Sequence, residues 1–358
     1  MSKNSIYSPK IDNQDEFKKL PWPKGLTAYM LYLLGWVAVS AFLALNLTYF
    51  QIITSDSYIN DTGNGAAMAL GLAAFFYIAI FLCLLIQGLP VVLAWVLVFL
   101  RKKEALTLLK IISAFILAAA VIIGFGFTDV RLNLKNIPID AHSRDAHYAA
   151  LRYLSPLMGV LVAINAFGSL YIFRSAQVAN FFGINDLGGG KEKGVGKEVP
   201  LIFTAITALL IMTIYKETNT LLSLTLYIKN SASDFFLFFQ RHWIRYLIAF
   251  ILPIGSFSAA IIGLAGLKKE MTAEGLLPAA LAAISLLALT YLGFSVYDIV
   301  RFINGKYVAS ELFGCFVALL EAAAYIFLLI KIISRRKKNA EYSSLAQRMK
   351  NCGFTIEM

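Results

Sequence analysis

Long apolar runs, broken by short clusters of charge, occupy most of this 358-residue chain. Eight runs, at approximately 26–54, 66–100, 105–127, 153–174, 199–216, 243–267, 275–299 and 308–331, approach or exceed the roughly 20 residues a helix needs to cross a hydrocarbon core of about 30 Å. The pattern predicts an all-α fold: a polytopic transmembrane helix bundle of about eight spans. The run 66–100 is too long to cross perpendicularly, because its residues would reach about 52 Å as a helix. Gly88 and Pro90 predict a kink there. The mixed stretch 217–242, "ETNTLLSLTLYIKNSASDFFLFFQRH", predicts an interfacial or extracellular helix in place of a span.

Composition agrees with the pattern. The chain is 59% hydrophobic and 15% charged, against roughly 25% charged residues in a soluble domain. Its net charge of +11 does not point to nucleic acid, because the basic residues collect at the ends of apolar runs. Counted with the N-terminus inside, 21 of the 32 Lys and Arg residues fall on the cytoplasmic side. That bias predicts cytoplasmic N- and C-termini. The first 24 residues contain no apolar core of the signal-peptide type. Cys83, Cys315 and Cys352 have spacings that suit neither a disulfide framework nor a zinc site.

Between the fourth and fifth runs lies "GGGKEKGVGKE", residues 188–198. A phosphate loop needs G-x-x-x-x-G-K followed by Ser or Thr, but Lys197 is followed by Glu198. The stretch therefore reads as a flexible linker. Similar sequences flank it in the same order. "LRKKE" (100–104) and "GLKKE" (266–270) open the third and seventh runs, and "GFTDVR" (126–131) and "GFSVYDIVR" (293–301) close them. "LMGVLVAINAFGSLYIF" (157–173) and "LFGCFVALLEAAAYIF" (312–327) form the fourth and eighth. These matches predict a parallel duplication. Its parts are a cytosolic N-terminal tail (1–19), a four-span unit (20–182), a cytosolic linker (183–198), a second four-span unit (199–338) and a cytosolic C-terminal tail (339–358). Parallel repeats are related by an axis along the membrane normal.

Gly35 and Trp36, "FLRKKE" at 99–104 and "YIFRSAQVANFF" at 171–182 make the first half resemble an uncharacterised bacterial family of four-span inner-membrane proteins, a domain of unknown function. The resemblance implies a location in the bacterial inner (cytoplasmic) membrane and no particular chemistry. The second half departs from it, since "YIFLLIKIISRRKK" (325–338) lacks the Arg-Ser ending.

Catalytic signatures are few. His142 and His147 lie near Asp140 and Asp145 in "IDAHSRDAHY", but their i, i+5 spacing does not set both on one helical face. A solvated outer loop is the better expectation, and no catalytic residue, cofactor or metal is assigned. Polar residues inside the spans say more. Asn46, Thr48, Gln51, Gln87, Asn165 and Ser169 can act as hydrogen-bonding glue between helices, and Gly159, Gly168, Gly314 and Ala322–Ala324 as close-packing surfaces. Glu321 differs in kind. A carboxylate at bilayer depth is costly and usually faces the bundle interior or a wet cavity. The repeat matches put its counterpart next to Asn165. Asp129 with Arg131, and Asp298 with Arg301, suit interfacial anchors.

Two readings follow. One is a carrier or channel for a small solute or cation, its midplane site formed by Glu321, Asn165 and Gln87. The other is a non-transporting membrane scaffold or partner subunit. The expected partners are the lipid bilayer, a small solute or cation, and a second copy or another membrane protein, with no role for nucleic acid.

Overall fold

A computed structural model describes residues 22–53, 71, 78, 81–82, 84–133, 141–182, 199–230, 232–270, 276–301 and 308–351. Among these residues all regular structure is helical. We number the α-helices α1 (Lys24–Ile53), α2 (Leu89–Phe99), α3 (Lys103–Asn133), α4 (Ala141–Arg174), α5 (Ala176–Phe181), α6 (Val199–Asn230), α7 (Ala232–Glu270), α8 (Leu277–Arg301) and α9 (Val308–Asn351). A π-helical turn, Leu84–Gly88, precedes α2. Among the described residues seven helices carry windows long and apolar enough to cross a membrane, and Leu84–Phe99 is a shorter apolar helix. The protein is thus an all-α, multi-pass membrane bundle. Most of the first part of the second run, and the linker, fall outside the described residues.

Each helix buries a stripe at helical spacing. On α3 the stripe runs Ala105, Leu109, Ile112, Ile116, Ala120, Ile123, Phe127 and Val130, all buried. On α1 it includes Leu26, Met30, Leu33 and Trp36. The opposite faces carry exposed Leu, Ile and Phe, such as Phe42, Ile111 and Ile122, as expected for side chains that meet lipid tails.

The π-turn has a local cause. Pro90 has no N–H and cannot donate to the carbonyl four residues back, and the wider turn absorbs the break. It aims Gln87 at α1, where the Ser40 hydroxyl donates to Gln87 Oε1 at 2.7 Å. The α2–α3 connection is a Schellman turn. The Arg101 amide donates to Val98 O and that of Lys102 to Leu97 O, with Arg101 at φ 52°. Glycine usually fills this left-handed position. Here the Arg101 guanidinium lies 4.7 Å from the Phe181 ring centre, a cation–π contact that fastens the turn to α5.

Contacts fix the helix directions. Tyr171 abuts Gly25, Tyr29 abuts Gly168, and Tyr32 bonds Asn165, so α4 runs antiparallel to α1. Leu210 touches Gly263, so α7 packs against α6. Tyr325 bonds the carbonyl of Leu209 and Thr213 approaches Glu321, so α9 is antiparallel to α6. By contrast, α3 and α6 run parallel, through Gly124 with Tyr215 and Arg131 with Ser223. One apolar cluster joins α1–α5 and includes Tyr215 of α6. A second joins α6–α9.

Several expectations change. The stretch 217–242 is no separate interfacial helix: α6 continues as a candidate span to Leu226, and the remainder leads into α7. His142 and His147 lie in the first turns of α4, not in a loop. The eighth run continues without a break as α9 to Asn351, through much of the expected tail. Of the three glycines taken as packing surfaces, Gly168 meets Tyr29, whereas Gly159 and Gly314 have open space where a side chain would project.

Candidate intramembrane charge site

Helix α6 is the most enclosed span, with 56% of its apolar window buried. Around it, Leu209, Thr213, Lys216 and Thr220 recur at intervals of three and four and share one side. That side meets α9. The Lys216 ammonium lies 2.7 Å from Glu321 Oε2, an ion pair. Thr213 Oγ1 is 3.4 Å from Glu321 Oε1 and 2.5 Å from the Tyr325 hydroxyl. Tyr325 in turn donates to Leu209 O at 2.7 Å. Glu321 and Tyr325 are one turn apart on α9, so both reach α6.

Glu321 is 6% exposed, while the Lys216 side chain is 33% exposed. The Lys216 ammonium also lies 5.3 Å from the centre of the Tyr291 ring on α8. The acid is therefore enclosed and the base stands at the rim. Placing the carboxylate in a low-dielectric interior is tolerable because the ammonium compensates its charge. A lysine stem can cover apolar surface while its head reaches a polar partner. Counting from the start of the candidate span at Leu312, Glu321 lies about 14 Å along the helix, close to half of a hydrocarbon core.

Beside Lys216 is a second carboxylate, Glu217, 8% exposed. The charges of both Lys216 and Glu321 act on it.

Glu321, Asn165 and Gln87 are not brought together. Asn165, 1% exposed, accepts a hydrogen bond from the Tyr32 hydroxyl at 2.8 Å, and its Nδ2 has no partner. Its neighbours are Ser169, which approaches the Ser113 carbonyl, and Tyr29, bonded to Ser113. Gln87 belongs to the α1 contact with Ser40. Helix α3 serves as a ruler between the two polar centres. Ser113 marks the Asn165 centre and Gly124, beside Tyr215, marks the level of the Glu321 centre. They are separated by roughly 10 Å in depth once Asn165's extra turn is subtracted. Among the described residues, the Asn165 centre lies with the first apolar cluster and the Glu321 centre with the second.

The sequence reading missed Thr213, Lys216, Glu217 and Tyr325. Lys216 and Glu217 lower the apparent hydropathy where α6 in fact continues, and the expected run therefore stops at 216. Their i, i+3 and i+4 spacing from Thr213 was the available signal. Of the anchoring residues, Asp129 is exposed and Arg131 Nη2 reaches Ser223 Oγ at 3.4 Å. The side chains of Asp298 and Arg301 lie outside the described residues. Among the described residues no group of three His, Cys, Asp or Glu side chains could hold a metal ion.

Compared with family models, curated proteins and solved structures, the chain has no significant match.

Proposed function

We propose that this protein is a carrier or channel for a small solute or cation, with Lys216 and Glu321 as its charged site. The observation that carries the reading is the ion pair itself: acid and base joined at 2.7 Å between two candidate spans, Leu201–Leu226 and Leu312–Lys337, the base one-third exposed. An intramembrane ionisable residue is expensive and is a functional-site candidate by default. A closed pair is neutral. When a cation reaches the carboxylate, it replaces the ammonium as counter-charge, and Lys216 can swing toward Tyr291 or Glu217. The pair thus has two arrangements between which a solute can choose, the requirement for binding to drive a conformational change.

The scaffold reading draws on the same contacts, since a permanent Lys216–Glu321 pair would simply hold α6 to α9. Flux separates the two. Proteoliposomes carrying trapped pH, sodium and potassium indicators are compared for wild type and Glu321→Gln, alongside thermal stability. The carrier reading expects a stable Glu321→Gln protein with reduced flux. Full flux in that variant removes the charge-based mechanism and puts the scaffold first.

The same reading takes residues 20–182 and 199–338 as parallel repeats. Support comes from their matching cross-links. In the first unit Tyr171 and Asn165 of the fourth span reach back to the first at Gly25 and Tyr32. In the second unit Tyr325 and Glu321 reach back to Leu209, Thr213 and Lys216. The resemblance of the first half to the four-span family supports a bacterial inner membrane, and the basic-residue bias supports both termini in the cytoplasm.

A further inference from the structure

Helices α4 and α9 start side by side, where the Tyr153 ring lies 5.6 Å from that of Phe313. Arg174 and Arg335 follow this contact by nearly equal lengths of helix, about 32 Å, and so stand together at the other surface of the bundle. Arg174 is the last residue of its candidate span, Pro156–Arg174, and Arg335 is in the last turn of Leu312–Lys337. Both guanidiniums reach the same face of α6. Arg174 Nη1 donates to Thr207 Oγ1 at 3.3 Å, and Arg335 Cζ lies 5.1 Å from the centre of the Phe203 ring. Phe203 and Thr207 are one turn apart in the opening turns of the span Leu201–Leu226, and the Thr207 hydroxyl donates to Phe203 O at 2.6 Å. The two cations thus bracket a single turn of α6 at the end of the apolar spans, where the phosphate layer of a bilayer begins.

Their hydrogen-bonding capacity is largely unspent. A guanidinium carries N–H donors in a planar fork and has no acceptor. Arg174 gives one donor to Thr207, while the Phe203 ring attracts the charge of Arg335 and leaves its N–H groups for another acceptor. Among the described residues neither arginine pairs with a carboxylate, and the Lys216–Glu321 pair lies roughly 14–20 Å away along α6. Beside the arginines, Phe173 on α4, Leu201 on α6 and Ile333 on α9 are exposed and offer an apolar wall. We infer that Arg174 and Arg335 form a binding site for one anionic phospholipid, its phosphodiester held between the two guanidiniums and its acyl chains laid along the exposed apolar residues. Arginine suits this role because its fork meets two phosphate oxygens at once, and basic pockets between transmembrane helices are a known way to hold anionic headgroups. Helix α4 packs in the first apolar cluster and α9 in the second, so the bound lipid clips the two halves of the bundle together.

This site is separate from the Lys216–Glu321 pair, and its test does not depend on transport. The full chain in neutral detergent micelles is given equal amounts of dioleoylphosphatidylglycerol and dioleoylphosphatidylcholine, which share their chains and differ in being anionic and zwitterionic. The lipids that stay with the repurified protein are then quantified. The expected result is a preference of about tenfold for phosphatidylglycerol, on the scale of one charge-assisted hydrogen bond. Arg174→Gln combined with Arg335→Gln should abolish it. Lys102→Gln combined with Lys103→Gln should keep it, although that pair removes the same charge from exposed side chains at the same end of the bundle, where Lys110 of α3 meets Phe173 of α4. If the arginine-to-glutamine pair does not fold, Arg174→Lys with Arg335→Lys substitutes for it. That pair keeps the charge but loses the fork, and should lower the preference several-fold. No preference in the wild type overturns the inference, as does a preference that survives replacement of both arginines. Equal loss in the Arg174/Arg335 and Lys102/Lys103 glutamine pairs overturns it too, by showing only general attraction to a basic surface. Millimolar inorganic phosphate at constant ionic strength should leave phosphatidylglycerol bound. Its displacement overturns lipid as the occupant and makes the two arginines a site for soluble anions.

Discussion

Tyr215 of α6 fits into the notch left by Gly124 of α3: a methyl group at Gly124 would overlap the Tyr215 hydroxyl oxygen. The ring is also 5.4 Å from that of Phe125, and the hydroxyl is buried without a partner. This is the small-residue packing expected between membrane helices, with one mismatch, an unsatisfied hydroxyl.

Gly124→Ala should therefore destabilise the protein by about 1–3 kcal/mol through overpacking. Tyr215→Phe should be neutral or slightly stabilising, because it removes a desolvated hydroxyl. Combining the two should recover most of the loss, measured by thermal unfolding in detergent. Gly159→Ala and Gly314→Ala, where space is open, serve as controls expected to lose nothing. If all three alanines behave alike, the notch has no energetic role.

The Lys216–Glu321 pair makes a second prediction. Glu321→Leu strands the ammonium and should cost about 3 kcal/mol, the low end for breaking a buried pair, given that Lys216 is partly exposed. Lys216→Met in the same background should return much of it. Glu321→Gln should fall between wild type and Glu321→Leu. A double variant no more stable than Glu321→Leu would mean that the pair is not the cause.

How much of this was readable in advance follows from the range of each interaction. Bilayer crossing is a local property of about 20 residues, so the bundle and most of its spans were legible, as was the break near Gly88 and Pro90. Glu321 stood out because a carboxylate in an apolar run needs a reason. Its partner did not, since Lys216 is 105 residues away and no spacing rule joins them. Similarly, Tyr32 and Asn165 are 133 residues apart. The polar side of α6 was misjudged because hydropathy averages over the helix surface. Lys216 and Glu217 subtract from that average although Glu217 is buried and Lys216 pairs with Glu321 of α9.

Asn165 and Glu321 occupy different centres, so their substitutions should act independently. The stability losses of Asn165→Ala and Glu321→Gln should add within about 0.5 kcal/mol in the double variant. Asn165→Ala alone should cost about 1 kcal/mol, the usual scale of an interhelical hydrogen bond in a membrane. Strong non-additivity would return the two residues to one shared site.

Topology is testable with single cysteines in a cysteine-free background. Positions 190 and 350 should label from the cytoplasmic side, and 60 and 142 from the outside. Labelling of 190 and 60 from the same side would invalidate the proposed map.

Because Tyr215 completes the first apolar cluster while Phe203, Ile206 and Leu210 begin the second, α6 belongs to both halves of the bundle. During synthesis, then, α1–α5 cannot close their packing before α6 is made. They must wait, with the Gly124 notch open, until the next helix has been inserted. A chain severed in the linker would leave its first fragment in that waiting state, exposed to quality-control proteases unless the second fragment arrives to fill the notch.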